Sequence, residues 1–389
     1  MNSHSYEQLR KEWLDQKEVL SSLETPKLVY STDIVGRNIS LFKEALNYDV
    51  EPYYSVKANN NKKILEYISN KRLGFEVASP LEIEQLRSLG VAPERIIYGA
   101  PVKITEHVKK AFDFGIKTYA VDSSRELEKV SSVAPLSRVY IRVDTSNEGA
   151  TWSLNEKFGI PSAEVLNLAK EALTLRLVPV GLTFAMGWNN SNTSLWGENL
   201  KKMVQLTMLM LENNIKIEFV DLGGGFPSHL VNKRQVIEEI GSAIAPVINQ
   251  LKSVYNIKTI AEPGSFLVSD SGIMLTSVIE KRKKNDKWWL FLDTGIIQGF
   301  PWILSDLQYA IVALEDSDNK HLKPYVVTGP TCDSHDIFNS ACMLPDDIEV
   351  GDKLVIFPAG GYIESSTAYS GFTLPQNYFI PEQDPNTSC

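Results

Sequence analysis

The strongest constraint in this chain is an alternation. Short β-rich apolar runs recur, each separated from the next by a stretch of helical periodicity. They are EPYYSVKAN (51–59), GFEVAS (74–79), RIIYGA (95–100), TYAVDS (118–123), RVYIRVD (138–144), PVGLTFAM (179–186), IEFVDLGG (217–224) and KTIAEPG (258–264). Stretches such as SPLEIEQLRSLG and NLKKMVQLTMLMLENN lie between them. Ser79 supplies a helix N-cap there, with Pro80 in the first turn and Glu82 three residues after the cap. Eight strands alternating with helices predict a (β/α)8 TIM-type barrel rather than a doubly wound sheet.

After residue 265 the pattern changes. SFLVSDSGIMLTSVIE, KWWLFLD, YVVTGP and DKLVIFP read as strands without long helices between them. This predicts a C-terminal antiparallel β domain. The expected division is a barrel over 27–265, with 1–26 and 266–389 forming a β-rich domain to which the N-terminal segment packs. KRKKND (281–286) reads as a solvated hairpin tip and the tail PEQDPNTSC as disordered. A length of 389 residues suits one large α/β domain plus a smaller one.

Composition narrows the class. The formal charge is −9 and is spread along the chain, which disfavours a nucleic-acid partner. No apolar run approaches the roughly 20 residues of a membrane span, and the polar N-terminus does not read as a signal peptide. Cys332, Cys342 and Cys389 lack zinc-site spacing and cannot close a disulfide set, and the five histidines are scattered. The expectation is a cytoplasmic protein with reduced thiols and no metal site.

In such a barrel the chemistry gathers at the C-terminal ends of the strands. The strand ends offer Lys57, Glu76, Arg142, the triplet Gly223-Gly224-Gly225, and Glu262. Taken singly, each has a plain reading. Lys57 could snorkel to water, the glycines could form a tight turn, and Glu262 could pair with a barrel arginine. Taken together they describe one cofactor. A partly desolvated lysine can act as a Schiff-base nucleophile. Bare backbone N–H groups can hold a phosphate, and a carboxylate can hold a pyridinium N–H. That set fits pyridoxal 5′-phosphate.

The motifs YYSVKANNN, GFEVAS, RIIYGAPVK, KFGI, DLGGGFP, AEPG, GPTCDSHD and GGYI occur in this order. With them the chain resembles the fold-type III pyridoxal-phosphate decarboxylases, the ornithine and diaminopimelate decarboxylase relatives with an alanine-racemase-like barrel. The resemblance runs over roughly residues 27 to 375. It implies that Lys57 carries the cofactor as a Schiff base, that Gly223, Gly224 and Gly225 hold its phosphate, and that Glu262 pairs with its ring nitrogen. Glu76 and Arg142 would lie near the ring, and Tyr362 would reach the phosphate from the β domain. Cys332 and Asp333 would enter a partner chain's active site in a homodimer, Cys332 as proton donor and Asp333 on the distal end of the substrate. Asp306, in FPWILSD, is a looser match to a second substrate aspartate.

Two positions depart from the family pattern. Relatives usually place a ring-stacking histidine and a serine in a HVGS-like stretch after the sixth strand; here FAMGW puts Ala185 and Trp188 there. Relatives also usually follow EPG with arginine, and here Ser265 follows. The expected activity is Cα decarboxylation of an amino acid or amino-acid conjugate in a specialised pathway of siderophore, antibiotic or polyamine-like type, with Trp188 in the substrate pocket. An amino-acid racemase of the same fold and a non-catalytic regulatory homologue are the alternatives.

Overall fold

The computed structural model describes residues 6–152, 157–228, 233–315, 321–363 and 373–382; Cys389 and the tail from 383 onward lie outside them. Backbone contacts divide the chain into two compact units. Residues Arg37–Leu267 form one, and the segment up to Gly36 together with Val268 onward forms the other.

The first strand in chain order, β1 (Lys27–Tyr30), corrects the expected boundary at residue 27. Its apolar sequence KLVY reads like a barrel strand, but it pairs antiparallel with β10 (Gly272–Lys284) and parallel with β16 (Gln376–Phe379). Both faces of this short strand are buried in the second unit. Leu28 and Tyr30 join one apolar cluster, and Val29 joins another with Trp13 and Leu20. A strand apolar on both sides carries no mark of which sheet it enters.

The first unit is a closed parallel barrel of eight strands. In order they are β2 (Val50–Ser55), β3 (Gly74–Val77), β4 (Ile96–Tyr98), β5 (Thr118–Val121), β6 (Arg138–Arg142), β7 (Val178–Thr183), β8 (Phe219–Asp221) and β9 (Lys258–Ala261). Closure comes from β2 pairing β9 in the register Val50↔Thr259 to Pro52↔Ala261. Each strand coincides with one of the eight apolar runs, β2 and β7 starting one residue earlier. Ile97, Ala120, Tyr140, Val180, Phe219 and Ile260 fill a central layer of the interior, with Tyr53 packed against it. The helix Pro80–Ser88 starts where its cap signal lies, with Ser79 Oγ accepting from the Glu82 N–H.

The second unit is a mixed sheet of eight strands. Its path is β12 (Ala310–Ala313), β15 (Lys353–Phe357), β10, β11 (Lys287–Leu292), β13 (Leu322–Thr328) and β14 (Ile337–Pro345). Most pairings are antiparallel, as expected, but β11 and β13 run parallel, as do β1 and β16. The hairpin β10–β11 turns at Asn285-Asp286, both with positive φ, where KRKKND predicts a tip. The segment Ser265–Val268, which reads as strand, is one helical turn. Phe266, Leu267 and Val268 are all buried, and a short apolar run buried all round shows neither period. Among the described residues, no helix is long and apolar enough to cross a membrane.

One buried ion pair braces the barrel beside its C-terminal face. Lys103, whose ammonium is fully enclosed, pairs with Glu126 at 2.9 Å and donates to the carbonyls of Ala100 and Ala120. Burial outweighs the Glu126 charge and pulls the lysine down to about 8. Glu126 also accepts from the Lys103 N–H, so it fixes the loop that follows β4. Glu126→Gln leaves a buried ammonium without its counter-ion. We expect a loss of about 3 kcal/mol of stability, seen as a lower urea midpoint at unchanged slope.

Candidate active site

Strand β2 ends at Ser55, and a single 3₁₀ turn, Val56–Ala58, carries Lys57 out of it. The neighbours Val56 and Ala58 are fully buried, while the Lys57 side chain is half exposed. The turn thus anchors itself through its flanks and leaves the amine at the mouth. Lys57 Nζ donates to Glu76 Oε2 at 2.9 Å. Glu76 sits inside β3 with 1% exposure. Gly99, just past β4, makes room for it: a Cβ there would collide with the Glu76 carboxyl.

On β6, Tyr140 and Arg142 are two residues apart and so share the inward face. The Tyr140 hydroxyl donates to Glu262 Oε1 at 3.4 Å. Arg142 Nη2 is buried with no hydrogen-bond partner among the described residues. Its guanidinium also lies over the Phe158 ring at 5.1 Å, and burial lowers its pKa against the pull of Glu262 and Asp122.

Sequence reasoning passes over Asp221, the last residue of β8. It has no solvent exposure. Its Oδ1 accepts from the Gly223 N–H at 2.8 Å and its Oδ2 from the Thr183 hydroxyl at 2.9 Å. The Glu262 carboxyl is close enough for each acid to shift the titration of the other. The signal was a carboxylate closing the apolar run IEFV. Both acids are pushed above the usual carboxylate range, chiefly by burial; Asp221 and Glu76 drive Glu262 further up, against the pull of Lys57. Two ionised carboxylates about 4 Å apart would repel by about 4 kcal/mol at an effective dielectric near 20. Ionisation of Asp221 therefore disfavours that of Glu262.

The glycine triplet is first of all a packing requirement. A Cβ on Gly223 would collide with the Phe184 carbonyl oxygen, and one on Gly225 with that of Gly187. Both also have positive φ, at +63° and +93°. Gly224 has more room, its nearest neighbour being the Glu262 carbonyl at 3.1 Å. Gly224 and Gly225 are partly exposed, and their N–H groups have no acceptor among the described residues. Two bare donors, an orphaned guanidinium nitrogen, a raised carboxyl and a half-exposed lysine suit an anion joined to a basic ring nitrogen and a carbonyl. These residues fit a phosphorylated pyridine aldehyde.

The loop after β7 is built around Asn190, which has 0% exposure. Its N–H donates to the Gly225 carbonyl at 2.9 Å, and its side-chain amide donates to the carbonyls of Met186 and Glu148. Asn189 Oδ1 accepts from the Ser228 N–H. Trp188 stacks on Trp152, with centroids 4.7 Å apart and rings inclined by 22°, and the two residues form a backbone bridge. Asn190 therefore scaffolds the glycine loop, and the paired tryptophans pack on each other within the loop after β7. Ala185 is partly exposed and Ser265 is buried.

The remaining predicted residues belong to the second unit. Cys332 is exposed. Asp333 accepts from the His335 N–H and faces His335 Nδ1 at 3.1 Å. Buried Asp336 holds this loop, accepting from the Ile296 N–H and the Thr331 hydroxyl. Asp306 caps the turn Pro301–Ser305 in the left-handed conformation. Tyr362 meets Trp302 of that turn edge-on at 6.5 Å.

Comparison with known proteins gives this geometry a family. The profile described as "Pyridoxal-dependent decarboxylase, pyridoxal binding domain" matches residues 32–269. The chain is 29% identical to the lysine/ornithine decarboxylase of Selenomonas ruminantium over 375 residues, 95% of this chain and 94% of that one. It is 28% identical to antizyme inhibitor 2 of Xenopus laevis, over 90% of this chain and 79% of the relative. Among solved structures, the arginine decarboxylase of Paramecium bursaria Chlorella virus superposes with a TM-score of 0.86 at 25% identity, covering 95% of this chain and all of that one. The lysine at the end of β2, the bare glycine donors after β8 and the raised carboxyl after β9 thus belong to a member of the pyridoxal-dependent decarboxylases, a carboxy-lyase that works with pyridoxal 5′-phosphate.

Proposed function

We propose that this enzyme decarboxylates the α-carbon of an amino acid with a basic or amine-bearing side chain, or of a conjugate of one, in a specialised biosynthetic pathway. The observation that carries the specialised substrate is the Trp152–Trp188 stack beside Ala185. An aromatic wall and a small side chain stand where the family pattern has a serine and a ring-stacking histidine.

The roles follow from the residues. Lys57 presents its amine to the carbonyl of the cofactor, and Glu76 orients that amine. The N–H groups of Gly224 and Gly225 take the phosphate, with Tyr362 assigned to the same group. Glu262 would pair with the ring nitrogen, and Arg142 would lie near the ring. When bound, the cofactor supplies a conjugated sink for the electrons left on Cα as CO2 departs. Cys332 returns a proton to Cα, and Asp333 and Asp306 hold the distal amine of the substrate. Cys332 and Asp333 serve the active site of a second copy in a homodimer.

The deciding experiment incubates cofactor-loaded protein with D- and L-diamino acids and their carboxylated conjugates. Released CO2 supports the proposal, whereas inversion at Cα without CO2 would make it a racemase. Borohydride treatment should leave the cofactor mass on a Lys57 peptide and not on Lys57→Ala protein. Absence of both signals would favour a regulatory homologue, a reading to which the antizyme inhibitor relative lends some support. Cys332→Ala should lower kcat by about 10²- to 10⁴-fold, the usual contribution of a general acid, with substrate binding kept. Mixed with Lys57→Ala chains, it should regain activity through hybrid dimers that each hold one intact site. Trp188→Ser should raise KM for the best substrate by about threefold to tenfold, the worth of one aromatic contact.

A further inference from the structure

The cofactor assignment gives tasks to the glycine loop and to Glu262 but none to the buried acid between them. Asp221 is a fully enclosed carboxylate at the end of β8, with a hydrogen bond on each of its two oxygens. One comes from the Gly223 N–H, at the start of the phosphate loop. The other, from Thr183 at the end of β7, fixes the carboxylate plane. Glu262, after β9, is tied to the same glycine, its N–H donating to the Gly223 carbonyl at 2.8 Å. The Glu262 carbonyl in turn accepts from the Ser55 hydroxyl, two residues before Lys57. An enclosed acid is costly unless its bonds are all made. A neutral side chain could fill this space, so the acid calls for an explanation beyond packing.

We propose that Asp221 is a positioning residue that locks the glycine loop and Glu262 into one unit, so that the phosphate end and the ring end of the cofactor bind cooperatively rather than independently. This rests on the cofactor reading above. Through Gly223, Asp221 sets where the bare N–H groups of Gly224 and Gly225 stand. Through the Gly223 carbonyl, which accepts from the Glu262 N–H, it also sets where Glu262 leaves the barrel. A cofactor gripped at one end then meets the other anchor already in place, and the ordering cost is met once.

The test uses the full chain freed of cofactor and two probes, pyridoxal 5′-phosphate and pyridoxal. Dissociation constants come from quenching of protein fluorescence, and their ratio, pyridoxal over pyridoxal 5′-phosphate, reports what the phosphate adds once the ring is bound. Asp221→Leu should reduce that ratio at least about tenfold, the loss of two linked hydrogen bonds. Asp221→Asn keeps an acceptor for Gly223 and should hold the ratio within about threefold of wild type. A purely structural residue would weaken both probes alike, and an unchanged ratio in Asp221→Leu overturns the proposal. Should that variant fail to fold, Thr183→Val is isosteric and frees one edge of Asp221; it should reduce the ratio about threefold, and no change there overturns the proposal equally. Wild-type protein that binds neither probe overturns the cofactor reading, and this inference with it.

Discussion

The site depends on an imbalance of charge. Glu76, Asp221 and Glu262 crowd one end of the barrel interior against two cations, Lys57 and Arg142. Glu76 is matched by Lys57 at hydrogen-bond distance. Asp221 and Glu262 have no cation at hydrogen-bond distance among the described residues, and Asp221 raises Glu262. Keeping both ionised would cost several kcal/mol in repulsion alone, more than most single interactions contribute to stability. A cationic group brought against them would relieve that cost.

Around that centre the barrel supplies rigidity through close backbone approach. The carbonyls of Phe184 and Gly187 lie where side chains on Gly223 and Gly225 would go. The glycine loop is therefore pressed against the loop after β7, and Asn190 bonds the two together. Packing of this kind makes the loop a fixed donor array rather than a flexible turn. It also explains how a chain with Ser265 in place of an arginine can present an anion site, because the donors belong to the backbone and are held by their neighbours. The Trp152–Trp188 stack takes up space on the same loop, where a smaller residue would leave the mouth more open.

Much of this was legible in the residue pattern. The eight apolar runs became the eight barrel strands because a strand enclosed on both faces must be apolar throughout, and each ends in residues of a different character. Lys57, Glu76 and Arg142 stood out as charged residues on such strands, and the triplet and Glu262 as breaks at strand ends. Asp221 was harder to see because an aspartate before glycines is also an ordinary turn residue. Only the hydrogen bonds from Thr183 and Gly223 distinguish it. The barrel boundary at residue 27 and the reading of SFLV as strand failed for a related reason. Burial on all sides erases the alternation that separates a barrel strand from a sheet strand, or a strand from a helical turn.

The amino-acid sequence by itself determined the barrel, the order of the chemical groups around its mouth and the cofactor they suit, because strand period and strand-end chemistry are local properties. Tertiary structure alone decided which of those groups touch. The pairing of Lys57 with Glu76, the hydrogen bond from Thr183 to Asp221, and the carbonyls that forbid a side chain at Gly223 and Gly225 all join residues far apart in the chain. Barrel closure brings them together, and no local pattern encodes a distance across a barrel.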